Sequence, residues 1–256
     1  MSSRLIHGFH AVIARLRHDP GAVKEILLDA GRHDQRARQL EQHARLQEIK
    51  VHPVEGARLD QMLPGMRHQG VVARVVEGNR KAPRLDDVLD TLEEPAFLLV
   101  LDGVTDPRNL GACLRVADGA GAHAVIAPKD RSAGLTDTAL KAASGAAEST
   151  PFVTVTNLAR ALRELRERDI HVIGTSGEAE QSIYAASWPR ATAWVFGAEG
   201  KGMRRLTREG CNQLVRIPLA GSVESLNVSV AAGICLFEAR RRMNPAGHPR
   251  DAGVMA

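Results

Sequence analysis

The second half of the chain alternates between short apolar segments and helical segments. Residues 96–102, AFLLVLD, form a continuous apolar run, which is typical of a strand buried on both faces of a parallel sheet. The alternation that follows predicts a three-layer α/β domain with a mostly parallel sheet and helices on both faces. Further strands are predicted at 123–128, 152–155, 171–176, 193–197 and 214–219, with helices from about Asn109 and at 136–145, 157–169 and 226–242.

The first 76 residues carry shorter segments of the same two kinds, which predicts a smaller α/β domain. In the helical segment 32–49, the apolar residues Leu40, Leu46 and Ile49 are expected to point inward. The predicted elements are a helix at 7–19, a strand at 23–29, a helix at 32–49, a strand at 50–55, a helix at 57–63 and a strand at 68–77.

A polar connector with two prolines, residues 77–95, separates the two patterns and is the predicted domain boundary. The small domain therefore covers 1–76 and the large domain covers 96–243. The last residues, 244–256, are rich in small and polar side chains and are predicted to form a disordered tail.

The composition excludes several classes of protein. With 44% apolar and 25% charged residues, the chain is predicted to be soluble and globular, and no apolar run reaches the roughly 18 residues of a membrane helix. The N-terminal segment does not resemble a signal peptide. Three widely separated cysteines and the absence of an HExxH pattern argue against a disulfide framework and a zinc site, and they fit a reducing cytoplasm.

Positive charge is concentrated in the first part of the chain. Residues 1–84 hold 15 Lys and Arg against 9 Asp and Glu, a net of +6, whereas the remainder holds 19 against 21, a net of −2. A basic first domain suggests binding to a polyanion such as RNA. Ordinary solubility charge would give the same count, and charge alone leaves both interpretations open.

Polar loops that carry possible chemistry follow three of the predicted strands. The first, LDGVTDPRNLGACLR (101–115), begins where the buried strand ends, which is the usual place for sites in parallel sheets. Asn109 is predicted to cap the next helix, and Arg115 lies about two turns into it. The second loop is VFGAEGKG (195–202), and the third is IPLAGSVESLN (217–227).

The glycines Gly197, Gly200 and Gly202 allow the backbone to approach a bound molecule, or itself, closely. Their spacing matches neither the GxGxxG fingerprint of dinucleotide sites nor the GxxxxGK[ST] of phosphate-binding loops. The side chains of Glu199, Ser222, Ser225 and Asn227 suit the binding of hydroxyl and amine groups.

The three loops, in this order and spacing, resemble the three motifs of the SpoU family of RNA 2′-O-ribose methyltransferases, which belongs to the SPOUT group. The similarity covers about residues 97–242. The first domain, with HGFHAV near its start and HQGVVA near its end, resembles that family's ribosomal-protein-L30-like RNA-binding extension. The resemblance implies a deep trefoil knot in the C-terminal domain, a feature too rare to follow from composition.

The resemblance also implies the cofactor S-adenosylmethionine, no metal, and an in-line attack of a ribose 2′-hydroxyl on a methyl group. Arg115 would lie nearest the hydroxyl, either as a base or as a clamp that stabilises a developing alkoxide, and both roles stay open. The implied catalytic residues are Asn109, Arg115, Glu199, Ser225 and Asn227, and the implied cofactor-binding residues are Gly197, Ile217, Leu226, Thr175 and Ser176.

The substrate implied by the resemblance is a guanosine 2′-hydroxyl in the peptidyl-transferase region of 23S rRNA, modified in the cytoplasm during ribosome biogenesis. Alternatives are a tRNA, an rRNA adenosine, or a non-catalytic RNA-binding role in ribosome assembly. The family's active sites lie at a two-fold interface, so an obligate homodimer is expected. Val228, Ala232, Cys235 and Leu236 of the final helix are candidates for that interface or for the core.

Overall fold

The computed structural model describes residues 3–66, 68–76, 83–198 and 200–244. The chain divides into two compact units. The first comprises residues 1–81 together with the short segment 144–149, and the second comprises residues 82–143 and 150–256. The predicted disordered tail, apart from Asn244, lies outside the described residues.

The first unit contains a four-stranded sheet in the order β1-β4-β2-β3. Strand β4 pairs antiparallel with both β1 and β2, whereas β3 runs parallel to β2. Its strands are β1 (Ser3–His7), β2 (Val23–Asp29), β3 (Val51–Val54) and β4 (Val71–Val76), and its helices are α1 (Phe9–His18), α2 (Gln35–Leu46) and α3 (Gly56–Met62). The sequence analysis did not predict β1, because only one side chain of this strand is buried.

Near the C-terminal end of helix α2, the apolar pattern gave a wrong prediction of which side chain is buried. Asp34 caps the helix by accepting hydrogen bonds from the backbone N–H groups of Arg36 and Ala37. Leu40 is buried as predicted, but the prediction for Leu46 is wrong, because 74% of Leu46 is exposed. Leu46 follows the buried Ala44 by two residues, about 200° around the helix, and therefore points away from the sheet.

The second unit contains a parallel sheet whose order, within the described residues, is β7-β6-β5-β10-β8-β11-β9. Its strands are β5 (Phe97–Asp102), β6 (Ala124–Pro128), β7 (Phe152–Val155), β8 (His171–Thr175), β9 (Gln181–Ser182), β10 (Thr192–Gly197) and β11 (Gln213–Arg216). Its helices are α4 (Leu85–Leu89), α5 (Pro107–Ala120), α6 (Asp137–Ala143), α8 (Leu158–Glu167), α9 (Arg205–Glu209) and α10 (Val228–Met243); α7 (Ala146–Ser149) groups with the first unit.

Helices cover both faces of this sheet. On one face, Leu85 of α4 and Leu162 of α8 pack in a core with alternate strand residues such as Leu98. On the other face, α10 packs against α5, and the guanidinium of Arg240 lies 4.9 Å from the centre of the Phe97 ring. The predicted fold class, a mostly parallel α/β domain with helices on both faces beside a smaller α/β unit, is confirmed.

The predicted connector, residues 77–95, contains the short helix α4, which the sequence analysis did not predict. Leu85 and Val88 of this helix are buried in the core of the second unit. Residues 77–82 lie outside the described part of the chain, and the domain boundary within the connector stays a prediction. Among the described helices, none has the length and apolar character needed to cross a bilayer.

Candidate active site

The candidate site lies at the carboxyl edge of four neighbouring parallel strands, β5, β10, β8 and β11. All three polar loops singled out in the sequence begin at this edge, since they follow β5, β10 and β11. The fold therefore brings together segments that are about 100 residues apart in the chain. Crevices at the carboxyl ends of parallel strands are the usual binding sites of open α/β sheets.

Helix α5 begins one turn earlier than the sequence analysis expected. Asp106, not Asn109, caps it, since the Asp106 carboxylate accepts a hydrogen bond of 2.8 Å from the backbone N–H of Arg108. Pro107 occupies the first helical position, where its missing N–H costs nothing. The predicted cap at Asn109 is therefore wrong, and this side chain is available for another contact.

That contact is with the third loop. The side-chain amide of Asn227 donates a hydrogen bond of 3.0 Å to the side-chain oxygen of Asn109. The oxygen of Asn227 in turn accepts from the backbone N–H and the hydroxyl of Ser229, at 3.0 and 2.6 Å, and so caps α10. Two predicted catalytic residues, 118 positions apart, are thus joined directly, and a helix cap holds one of them in place.

A cleft of about 240 Å³ lies beside this pair of amides. Its walls come from the loop after β5, from Ala198 in the glycine loop and from Val228 at the start of α10. The first two motifs and the residue that directly follows the third loop therefore contribute to one cleft, which we call the Asn109 cleft. The residues that line it are Gly103, Val104, Thr105, Asp106, Asn109, Ala198 and Val228.

The glycine loop folds back on itself. Ala198 and Gly202 exchange two backbone hydrogen bonds, of 3.1 and 2.9 Å, and both Gly200 and Gly202 adopt left-handed backbone angles. A side chain at Gly197 would collide with the backbone of Gly202 and Met203. The close approach foreseen for these glycines is thus, at Gly197, an approach of the chain to itself. Glu199 lies outside the described residues.

An ion pair between the buried Asp102 and the half-exposed Arg204, which the sequence analysis missed, holds this loop against β5. The carboxylate of Asp102 is fully buried and accepts hydrogen bonds from the Arg204 side chain at 2.6 Å and from the Arg204 backbone N–H at 2.8 Å. Asp102 is the last residue of a continuous apolar strand, so its charge was a sequence signal that a positively charged partner would be needed. Its partner, 102 residues away, could not be read from local pattern.

The predicted cofactor-binding residues lie at the ends of β8, β10 and β11. The Thr175 hydroxyl donates to the carbonyl of Val195 at 3.1 Å, and the Ser176 N–H donates to the carbonyl of Val215 at 3.0 Å, so both help to hold strands together. By contrast, residues 218–226 make no backbone hydrogen bond with any other described residue. This loop, with small residues at 220–222, fits a ligand that is held by backbone groups.

Three predicted catalytic residues, Arg115, Ser225 and Asn227, are not among the residues that line the Asn109 cleft. Arg115 lies on α5 with an exposed side chain, and it makes no ion pair with any described residue. Ser225 lies exposed in the third loop. Asn227 reaches the cleft only through its hydrogen bond to Asn109, which does line it.

Cysteine and metal chemistry have little support at this edge. Cys113 and Cys235 are buried, and burial raises the pKa of the Cys211 thiol to about 12, which keeps it protonated at neutral pH. No disulfide joins any two of the three cysteines. Among the described residues, no group of three or more His, Cys, Asp or Glu could hold a metal ion. The metal-free reaction expected from the sequence stays a prediction.

The parallel sheet and the three loops at its carboxyl edge define an α/β protein of the open-sheet class, and comparison with known proteins names the family. A model described as the SpoU rRNA Methylase family matches residues 96–237, and one described as RNA 2′-O ribose methyltransferase substrate binding matches residues 5–92. This chain belongs to the SpoU family. The family expected from the three motifs is therefore confirmed.

Two relatives match nearly the whole of this chain. The 23S rRNA (guanosine-2′-O-)-methyltransferase RlmB of Bordetella pertussis is 56% identical over 241 residues, which are 94% of this chain and 98% of that protein. The protein of the same name from Ralstonia nicotianae is 59% identical over 240 residues, 94% of this chain and 96% of its own length.

Among solved structures, the SpoU methyltransferase AviRb from Streptomyces viridochromogenes, in complex with the cofactor AdoMet, is similar to this chain with a TM-score of 0.74. The two are 25% identical, and the similarity covers 95% of this chain and 92% of that one. The likeness therefore extends over both units of the present chain.

Proposed function

We propose that this chain transfers a methyl group from S-adenosylmethionine to the ribose 2′-hydroxyl of a guanosine in the peptidyl-transferase region of 23S rRNA, during ribosome biogenesis in the cytoplasm. The main structural support is the hydrogen bond between Asn109 and Asn227, which joins the first and third motifs at a cleft that the second motif also lines. The relatives that are 56% and 59% identical carry this activity in their names.

In this proposal the cofactor is held at the ends of β8, β10 and β11 by Gly197, Ile217 and Leu226, with Thr175 and Ser176 beside them. The unpaired backbone of residues 218–226 supplies donors and acceptors for a polar ligand. S-adenosylmethionine supplies a methyl group on a positively charged sulfur. The chain's own task is alignment, which by itself can lower a barrier by several kcal/mol, about 7 or more in favourable cases.

Asn109 and Asn227 are suited to orient the ribose, since each amide offers both donors and acceptors. Glu199 and Ser225 complete the proposed set from the second and third loops. Arg115, as a permanent cation, would hold a phosphate or stabilise the developing alkoxide of the attacking hydroxyl, or would serve as the base.

We propose that the functional enzyme is a homodimer, and the support is an apolar helix face that a single chain leaves exposed. The four residues of α10 considered at first, Val228, Ala232, Cys235 and Leu236, are buried in the chain's own core. The opposite side of α10 is apolar and exposed: Val230 is 50% exposed and Phe237 is 52% exposed. These two residues are seven apart, so they lie on one face of the helix, and a second copy would cover it.

The first unit is proposed to bind the rRNA. Its exposed basic side chains include Arg17, Arg36, Arg45 and Lys50, and the family model for substrate binding covers it. Such contacts to phosphates position an RNA without reading its bases.

The trefoil knot also belongs to this proposal. The close packing of Gly197 against the Gly202 backbone is compatible with chain segments that cross tightly.

The test is a map of ribose methylation by mass spectrometry in 23S rRNA from cells with and without this gene. We expect the loss of a single 2′-O-methylguanosine in the peptidyl-transferase region, restored by the purified protein with S-adenosylmethionine. An unchanged 23S rRNA map would contradict the proposal, and the same map made on tRNA would then identify the alternative substrate.

A further inference from the structure

A second cavity, larger than the Asn109 cleft, opens at the carboxyl ends of β6 and β7. Its volume is about 590 Å³, and it shares no lining residue with the cleft. The loop after β6 forms one wall, with Asp130 and Arg131. The beginning of α8 forms the second wall, with Thr156 and Asn157, and the beginning of α9 forms the third. We call it the β6–β7 cavity, and the proposed methyl transfer does not use it.

The lining of the β6–β7 cavity is rich in arginine. Arg131, Arg204 and Arg205 line it together with one carboxylate, that of Asp130. Arg204 is neutralised by Asp102, and Arg205 pairs with Glu209 on the next turn of α9. Arg131 is exposed and forms no ion pair within the described part of the chain, so its charge remains available to a ligand.

Neutral groups in the same cavity add hydrogen-bond donors to this charge. Helix α8 begins at the cavity wall, and its first turn contains no acidic residue. The N-terminus of a ten-residue helix favours a negative charge. Thr156 and Thr207 also line the wall. Apolar residues such as Leu158 and Leu206 share the wall with these polar groups, which fits a ligand with both apolar and anionic parts, such as a nucleotide.

The position of the β6–β7 cavity relates it to the reaction. The backbone N–H of Ala133 donates to the carbonyl of Val104 at 2.8 Å, and the Ser132 hydroxyl donates to the same carbonyl at 3.3 Å. Val104 lines the Asn109 cleft, whereas the loop that carries Ala133 also carries Arg131. One layer of loop therefore separates the cleft from the cavity.

We propose that the β6–β7 cavity is a subsite for a phosphodiester-linked nucleotide that flanks the methylated one, with Arg131 and Arg205 contacting its phosphate. A volume of about 590 Å³ lies in the usual range of small-ligand pockets, roughly 300–1,000 Å³, and so admits a nucleotide rather than a phosphate alone. The inference rests on the proposed function, because the strand that enters the cavity is the RNA whose ribose lies in the cleft.

The chain offers a closely matched control. Arg205 and Arg160 are each 75% exposed, and each pairs with a glutamate four residues later, at 2.6 and 2.8 Å. Arg205 lines the cavity, whereas Arg160 does not. Arg163, exposed on the outer side of α8, serves in the same way for Arg131. The cavity variant combines Arg131→Ala with Arg205→Ala. The control pair combines Arg160→Ala with Arg163→Ala. Both are made in the full-length protein.

The affinity for a 23S rRNA fragment that contains the methylated guanosine is measured by fluorescence anisotropy at several salt concentrations. We expect the cavity variant to bind about 10- to 100-fold more weakly. The slope of log affinity against log salt should fall by about 0.7–0.9 for each lost phosphate contact. The control pair should leave both quantities near the wild-type values. Arg205→Lys, which keeps the charge, should recover most of the slope.

Further readouts separate the subsite from the catalytic site. Binding of S-adenosylmethionine, measured by calorimetry, and the turnover rate at saturating RNA should stay within about twofold of wild type in the cavity variant. Equal losses in the cavity and control variants, or no loss in either, would overturn the subsite while wild-type methylation continued. Absence of methylation by the wild-type protein would instead overturn the proposed function.

Discussion

At the residue scale, the two asparagines Asn109 and Asn227 show how one hydrogen bond can link distant motifs. Asn227 has two tasks, because its oxygen caps α10 while its amide group contacts Asn109. The cap fixes the side chain in one rotamer, so the contact with Asn109 costs little additional entropy. The pair is preorganised before any substrate binds, which is the condition under which such groups help catalysis.

A double-mutant cycle tests this pair. Asn227→Ala should lower the free energy of unfolding by about 1 kcal/mol, because it removes a helix cap. Asn109→Ala should lower the free energy of unfolding by less, since Asn109 caps no helix. For the methylation rate, the free-energy loss of the double variant should be smaller than the sum of the losses of the two single variants, by a coupling energy of about 0.5–1.5 kcal/mol. Strict additivity in methylation rates would show that the hydrogen bond has no part in the reaction.

The exposed arginine of α5 gives a second prediction at this scale. Arg115→Ala should reduce methylation by at least about 100-fold while RNA and cofactor binding stay near wild type, because its charge acts on the reacting groups. Arg115→Lys distinguishes the need for a positive charge from the need for the planar guanidinium. Methylation by Arg115→Ala near the wild-type rate would refute the assignment.

At the scale of the element, the glycine loop and α10 are held by contacts that reach across the sheet. The glycine loop is pinned by its own two backbone hydrogen bonds and by Arg204 on Asp102. The C-terminal end of α10 is pinned by Arg242, whose guanidinium lies over the Trp188 ring at 4.2 Å and donates to the carbonyl of Ile183. Each element therefore depends on a partner that its own sequence does not reveal.

Gly197→Ala tests the self-packing of the glycine loop. The added methyl group would displace the Gly202 backbone, so we expect at least a tenfold loss of S-adenosylmethionine affinity in calorimetry, with the rest of the fold retained. Gly134→Ala is the matched control, since an added methyl group there meets no atom within 4 Å. Unchanged affinity in Gly197→Ala would show that the cofactor does not depend on this loop.

The acidic residue near the end of α10 predicts a pH dependence. Hydrogen bonds from Arg241, and then from Arg242, lower the pKa of the Glu238 carboxyl from 4.5 to about 2. Because the folded-state pKa lies below the unfolded one, the stabilisation is complete above about pH 5 and is lost as the pH falls towards 2. Because Arg241 is exposed to solvent, we expect the ionised Glu238 to stabilise the fold by only about 1–2 kcal/mol.

The measurement is the free energy of unfolding of wild type and Glu238→Gln between pH 3 and pH 7, by denaturant titration. The two proteins should differ most at pH 7, and the difference should shrink as the pH falls. A difference independent of pH would indicate that Glu238 acts by packing and not by its charge.

At the scale of the whole molecule, the two units differ in where charge and apolar surface are placed. The first unit carries the excess of basic residues, and the second carries the carboxyl-edge site together with an apolar face on α10. The proposed homodimer would cover that apolar face, so assembly and methylation can be tested together.

Assembly is tested by placing charges on the exposed face of α10. Val230→Glu with Phe237→Glu should convert a dimer into a monomer in sedimentation experiments, because a buried unpaired carboxylate would cost several kcal/mol at the interface, about 3 or more. Methylation should fall in parallel, with folding unchanged. Leu46→Glu is the control, since Leu46 is also exposed and apolar but lies in the first unit. A dimeric double variant would contradict the proposed interface.

Much of the fold could be predicted because the signals are local. The apolar run at 96–102 and the helical segment at 157–169 depend on neighbours in sequence, and the structure confirms a strand in the first and a helix in the second. Errors arose where two local signals competed. Asp106 and Asn109 can both cap a helix, and Pro107 at the first helical position was the feature that favours Asp106.

The sequence by itself determined the alternation of strands and helices and the three loops, because short-range physics translates residue type and spacing into such elements. The resemblance of those loops to known motifs indicated the family. Only the tertiary structure decided that Asn109 contacts Asn227, that Asp102 is neutralised by Arg204, and that three separate segments enclose the β6–β7 cavity. Those contacts join residues roughly 100 positions apart, and their partners are chosen by the order of strands in the sheet, which no local pattern encodes.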